Sequence, residues 1–124
     1  MQNLDQLRAA HALSEAKNTD KSSVAKLPSM LLINGLLGAL AFACEEGKGK
    51  RVAMNAAADA LARHLSNPAL ALPELANCKT GTALGAQLAK GEALTLQRAT
   101  TEALAYLSYL KRYALKEESS ERGD

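Results

Sequence analysis

The feature that most constrains this chain is the apolar run Lys26-Leu27-Pro28-Ser29-Met30-Leu31-Leu32-Ile33-Asn34-Gly35-Leu36-Leu37-Gly38-Ala39-Leu40-Ala41-Phe42. It is the longest apolar stretch in the sequence, and Asn34-Gly35 sits inside it. Glycine in a helix interior costs about 1 kcal/mol relative to alanine, and asparagine competes for backbone hydrogen bonds. Something other than helix propensity therefore selects that pair. After Pro28 the pattern is apolar nearly all round, which predicts a central, buried helix. Gly35, Ala39 and Ala43 recur at i+4 and form a row of small residues that admits a neighbouring helix backbone. Asn34 is expected to bond a backbone group there, so that Asn34→Leu lowers the melting temperature.

The rest of the composition agrees with a helical core. Hydrophobic residues make up 48% of the 124 residues and aromatics only 3%, so the core is built from Leu and Ala. Strand formers are scarce: Val occurs at 24 and 52 only, and Ile at 33 only. A chain of this length supports one domain with a real core. The expected fold class is all-α, a compact bundle of five to six helices over residues 1–116. Residues 117–124 form a short acidic tail, expected to be disordered. The formal net charge is +2, but residues 1–116 carry +5 and the tail −3. The body is mildly basic, too mildly to diagnose nucleic-acid binding by charge alone.

Hydrophobic periodicity places the helices. The first covers 3–17, with Leu7, Ala9, Ala10, Leu13 and Ala16 on one face and Arg8, His11 and Glu15 on the other. A second segment covers 21–46, where Pro28 either starts the main helix or kinks a longer one. A basic turn, Gly47-Lys48-Gly49-Lys50-Arg51, leads into a third helix over 50–66. Its face is Met54, Ala57, Ala58, Leu61 and Leu65; Asn55, Asp59, Arg63 and Ser66 lie opposite. Residues 67–80 read as a loop with one helical turn at 73–77, and 82–90 as a short helix stopped by Gly91. The last helix covers 93–117, burying Leu96, Ala99, Ala103, Tyr106, Leu107, Leu110 and Ala114. Arg98, Tyr109, Arg112 and Lys116 share its other side.

No catalytic constellation is visible, and no cofactor or metal is expected. His11 and His64 lie on separate helices among surface or boundary residues, and the default reading of each is non-functional. Cys44 and Cys78 are far apart, without a CxxC or HxxxH spacing to make a zinc site. The turn at 47–50 lacks the GxxxxGK[ST] spacing of a phosphate loop and follows a helix rather than a strand. The apolar run is too short and interrupted to span a bilayer, and no signal peptide is apparent, so the expectation is a cytoplasmic protein with no membrane and no small-molecule substrate. Two features suit phosphate contacts. One is the basic turn with Lys48, Lys50 and Arg51. The other is the Arg98–Tyr109–Arg112–Lys116 face, where an aromatic beside cations can stack on a base. Their bland readings are a solvated loop and snorkelling side chains.

Three blocks carry a family resemblance. They are Gln6-Leu7-Arg8-Ala9 with Ala12-Leu13; Lys26-Leu27-Pro28 with Asn34-Gly35-Leu36 and Leu40-Ala41-Phe42; and Glu102-Ala103-Leu104-Ala105-Tyr106-Leu107 with Leu110-Lys111-Arg112-Tyr113-Ala114. In this order the chain resembles the small, all-helical subunit of the type III-B CRISPR effector, the Cmr complex. Residues 67–91 match none of these blocks. The resemblance implies a bundle of about six helices that is not the nuclease. Copies would stack in a short filament beside the other Cmr subunits, against the CRISPR RNA and target RNA, touching the RNA backbone without reading sequence. Within the matched blocks it points to Lys26, Lys111 and Arg112 as RNA-binding residues, with Arg8 next. Charge placement alone adds Lys48, Lys50, Arg51 and Arg63. Tyr109 stands where a larger aromatic is expected, which leaves its stacking role open. Two alternatives stay open: a helical protein–protein adaptor without direct nucleic-acid contact, and a DNA-binding regulator, against which stands the lack of a short helix–turn–helix.

Overall fold

The computed structural model describes residues 3–114, apart from the side chain of Lys50; the acidic tail at 117–124 and Lys116 lie outside the described residues. Five α-helices follow one another: α1 (Leu4–Glu15), α2 (Lys21–Ala43), α3 (Lys50–Leu65), α4 (Gly81–Lys90) and α5 (Ala93–Tyr113). Single 3₁₀ turns stand at Ala16–Asn18, Pro68–Leu70 and Pro73–Leu75. The all-α bundle expected from the Leu/Ala composition is the fold found.

Local chemistry sets the boundaries. Asn3 caps α1 in a capping box with Gln6, each side chain bonding the other's backbone N–H. Asp20 accepts from the Ser23 N–H and opens α2. Thr80 caps α4 in the same way. Gly91 closes α4 as the sequence predicts, and the loop 67–80 holds two 3₁₀ turns, each beginning at a proline, instead of one turn at 73–77.

The apolar run departs from its expected form. Pro28 lies inside α2 without ending it; the break falls at Gly35, whose φ of 76° and ψ of 168° are not helical. That is a region essentially reserved for glycine. Gly35 is exposed, and a Cβ built on it would meet nothing within 4 Å. It therefore admits no neighbouring helix; it re-aims the chain, while Ala39 and Ala43 alone are buried as expected. Nor is α2 buried all round, because Leu32 and Ile33, just before the break, are 73% and 79% exposed. By length and composition alone its 23 residues match a membrane span, but the non-helical Gly35 divides them. Leu27, Leu31, Leu36 and Leu40 of the same helix are nonetheless core residues.

Asn34 is exposed, and no hydrogen bond of its side chain is found among the described residues. Two expectations follow for thermal unfolding. Gly35→Ala should destabilise by ~1–3 kcal/mol through backbone strain alone. Asn34→Leu should stay within about 0.5 kcal/mol of the parent, as exposed substitutions do, in place of the loss the sequence pattern predicted.

The core is a single cluster drawn from all five helices. α5 lies along both α1 and α2, and α3 packs on α2, α4 and α5. The stripe Ala99, Ala103, Tyr106, Leu107, Leu110 and Ala114 is buried as predicted, and Leu96 is half-buried. The Met54–Leu65 face of α3 is buried too. Its opposite face is not simply solvent-facing. Asn55 donates to the carbonyls of Ala43 and Glu45, tying α3 to the end of α2. Asp59 accepts from the Gly81 N–H at 2.8 Å, holding the start of α4. A Cβ at Gly81 would come within 2.7 Å of both Ala58 Cβ and Cys44 Sγ, so only glycine lets α4 approach that closely.

Candidate functional site

The predicted cations separate into two kinds. Arg8, Arg51 and Arg63 are committed within the molecule. The Arg8 guanidinium grips the Glu102 carboxylate through Nε at 2.9 Å and Nη2 at 2.8 Å, and reaches Asp5 at 3.0 Å. Arg63 holds Glu15 in the same two-point fashion, at 2.6 and 2.8 Å. Arg51 donates to the Phe42 carbonyl, lies 4.1 Å over the Phe42 ring and sits 3.4 Å from Glu45. By contrast, Lys26, Lys48, Lys111 and Arg112 are exposed, with no carboxylate partner among the described residues.

The free cations gather at opposite ends of α2. The Lys21 ammonium donates to the carbonyls of Lys111 and Arg112, fastening the last turn of α5 to the first turn of α2. A cation at a helix C-terminus also complements the helix dipole. Lys26, one and a half turns into α2, thus lies toward the same end as Lys111 and Arg112. Lys48 sits in the α2–α3 turn, at the far end. Tyr109 is half-buried and pairs with Tyr113, their ring centroids 6.5 Å apart, while Arg98 is exposed nearer the start of α5.

The arrangement that sequence reading missed is a polar joint between α1, α3 and α5. Arg8, His11 and Glu15, expected to face away from the core, form the face on which α1 docks. Leu13, assigned to the apolar face, is 56% exposed instead. His11 Nδ1 is 2.8 Å from His64 Nδ1, and His64 Nε2 is 2.7 Å from Glu102 Oε2. Asn67 Nδ2 lies 3.2 Å from His11 Nε2. Tyr106 stacks flat on His64, with centroids 4.1 Å apart. His64 and Glu102 are both buried. One signal was present in the sequence: position 102 falls in the apolar stripe of α5 between Ala99 and Tyr106, where a carboxylate needs a partner.

Electrostatics follow from the geometry. Burial pushes the Glu102 carboxyl up, but hydrogen bonds from Arg8 and then His64 outweigh it and pull its pKa down to about 2. Glu15 is lowered chiefly by its bond from Arg63. Burial raises the Cys44 and Cys78 thiols, keeping them protonated and unreactive at neutral pH. Among the described residues no group of three or more His, Cys, Asp or Glu side chains is placed to hold a metal ion. An open groove of about 650 Å³ borders the joint, lined by Leu4, Arg8, Leu70, Leu94, Arg98 and Glu102.

No curated protein and no solved structure matches the chain. A family model does, from residue 4 to residue 116, across all five helices. The chain therefore belongs to the family described as CRISPR-associated protein (Cas_Cmr5), the small subunit of the type III-B CRISPR complex, and associates with other Cmr subunits.

Proposed function

We propose that the chain is a non-catalytic subunit that stacks with copies of itself in the Cmr complex and contacts the backbone of the guide–target RNA duplex without reading its sequence. The observation that carries this reading is the sorting of the cations. Lys26, Lys111 and Arg112 project from the joined ends of α2 and α5 with no acidic partner among the described residues, and Lys48 does so at the α2–α3 turn. Unpaired cations on rigid helix ends suit phosphate contacts, which carry no sequence information. Arg8, Arg51 and Arg63 act on this reading as internal ties. With so low a net charge, one copy binds RNA weakly, and affinity comes from several copies acting together.

The test is target-RNA affinity of the assembled complex across a salt series. Lys111→Ala/Arg112→Ala should weaken binding evenly across unrelated sequences and reduce the salt slope by about 1–2. Unchanged affinity and slope would remove these two residues from the RNA surface. The adaptor reading has one observation in its favour, the exposed Leu32 and Ile33 beside the break in α2. Large apolar side chains side by side in solvent mark a protein contact. Crosslinking in the intact complex separates the two readings, because an adaptor gives protein crosslinks only.

A further inference from the structure

We infer that Asn67, His11, His64, Glu102 and Arg8 form a one-way hydrogen-bonded chain that closes only when both imidazoles are neutral, which makes the docking of α1 an acid-sensitive latch. The directions are fixed from the two ends. The Ala69 N–H donates to Asn67 Oδ1 at 2.9 Å, so the Asn67 amide nitrogen, which can only donate, faces His11 Nε2. His11 Nε2 must accept, which places the His11 proton on Nδ1. At the other end Glu102, held ionised by Arg8, can only accept. His64 Nε2 must donate to it, which leaves His64 Nδ1 as an acceptor. The two Nδ1 atoms, 2.8 Å apart, then pair with His11 as donor and His64 as acceptor. Every contact is satisfied by this one assignment.

An added proton has two places to go. On His64 Nδ1 it sets two N–H donors against each other at 2.8 Å, or drives the His11 proton across to Nε2. On His11 Nε2 it meets the Asn67 amide protons at 3.2 Å. Flipping Asn67 would relieve the second clash but give up the Ala69 bond that caps the turn Pro68–Leu70. Solvent offers no escape for a proton on His64, which is 1% exposed, while His11 is half-buried.

The other charged groups around the pair are already engaged. On α1, Glu15 is tied to Arg63 of α3, and Asp5 to Arg8. Lys79 ends on the Ser66 hydroxyl beside Asn67. On α5, Tyr106 presents its ring face to His64 and no acceptor. Burial, then the neighbouring His64, lowers the His11 pKa, and Glu15 and Glu102 oppose this more weakly. The latch matters because Ala12 is the only side chain that α1 buries fully, so the polar joint carries much of its attachment.

The sign follows from linkage. His11 takes up a proton near pH 6.5 in the unfolded chain and resists it in the folded joint, so stability falls as pH drops through about 6.5 and levels off below its folded pKa. Unfolding of the purified chain from pH 7.5 to 5.5 should show the folding constant falling by up to about tenfold per pH unit. Asn67→Asp keeps an oxygen for the Ala69 N–H and gives His11 Nε2 an acceptor, so it should flatten or reverse that slope. Ring-nitrogen NMR of the parent chain at pH 7 should show neutral rings protonated at Nδ1 of His11 and Nε2 of His64. A flat pH profile, a parental slope in Asn67→Asp, or an imidazolium signal at pH 7 would each overturn the latch. If Asn67→Asp does not fold, the ring-nitrogen spectrum of the parent decides alone.

Discussion

Glu102→Ala is expected to lower stability by ~3–5 kcal/mol. Its carboxylate accepts from Arg8 twice and from His64 once, and it is buried. Removing it leaves a guanidinium and a buried imidazole without their acceptor, which is far worse than never having buried the group. For a domain of this size the loss amounts to roughly 10 °C or more in melting temperature. Glu102→Gln should fall between, since an amide offers one acceptor oxygen and no charge. Arg8→Ala and the double variant complete a cycle, with a coupling energy of ~0.5–3 kcal/mol expected for groups in contact. A loss below about 1 kcal/mol for Glu102→Ala would mean that α1 is held by something else. The same carboxylate gives an acid limb separate from the histidine latch. Its folded pKa near 2 lies below the unfolded value near 4.5, so its contribution is complete above pH 4.5 and is lost between there and about pH 2.

Tyr106→Ala should cost a similar ~3–5 kcal/mol, for a different reason. Tyr106 is fully buried at the centre of α5 and covers the ring of His64. Truncation opens a cavity in a core made mostly of Leu and Ala, which have little length with which to fill it. It also removes a stacked pair worth ~0.5–1.5 kcal/mol beyond its area. Tyr106→Phe should behave in the opposite way. The hydroxyl is buried and has no hydrogen-bond partner among the described residues, so deleting it should be neutral or stabilising by about 1 kcal/mol. Urea unfolding of the two variants checks both. Destabilisation of Tyr106→Phe by more than about 1 kcal/mol would show that the hydroxyl does have a partner in solution.

The three sequence blocks that carry the resemblance acquire physical meaning in the fold. Arg8 of the first and Glu102 of the third are the two ends of one ion pair, 94 residues apart in sequence. Asn34-Gly35 of the second is the break in α2. Lys111 and Arg112 close the third block on the turn that Lys21 fastens to α2. Two of the residues read first as RNA contacts, Arg8 and Arg63, join α1 to the bundle. A guanidinium looks the same in a sequence whether it faces phosphate or carboxylate.

The sequence by itself determined the helices, most of their ends and most of the apolar core. These depend on local terms: cap residues, a 3.6-residue period, and a Leu/Ala composition that leaves strands little support. The kind of break at Gly35 was half visible, as an anomaly without a conformation. Only the tertiary structure decided which face of α1 turns inward. Hydrophobic periodicity ranks faces by apolarity, and α1 docks on Arg8, His11 and Glu15 because Glu102, His64 and Arg63 await them on other helices. Such a face is favourable only once its partners are in place. Pairing of charges across 48 to 94 residues is a property of the assembled bundle, and no single helix encodes it.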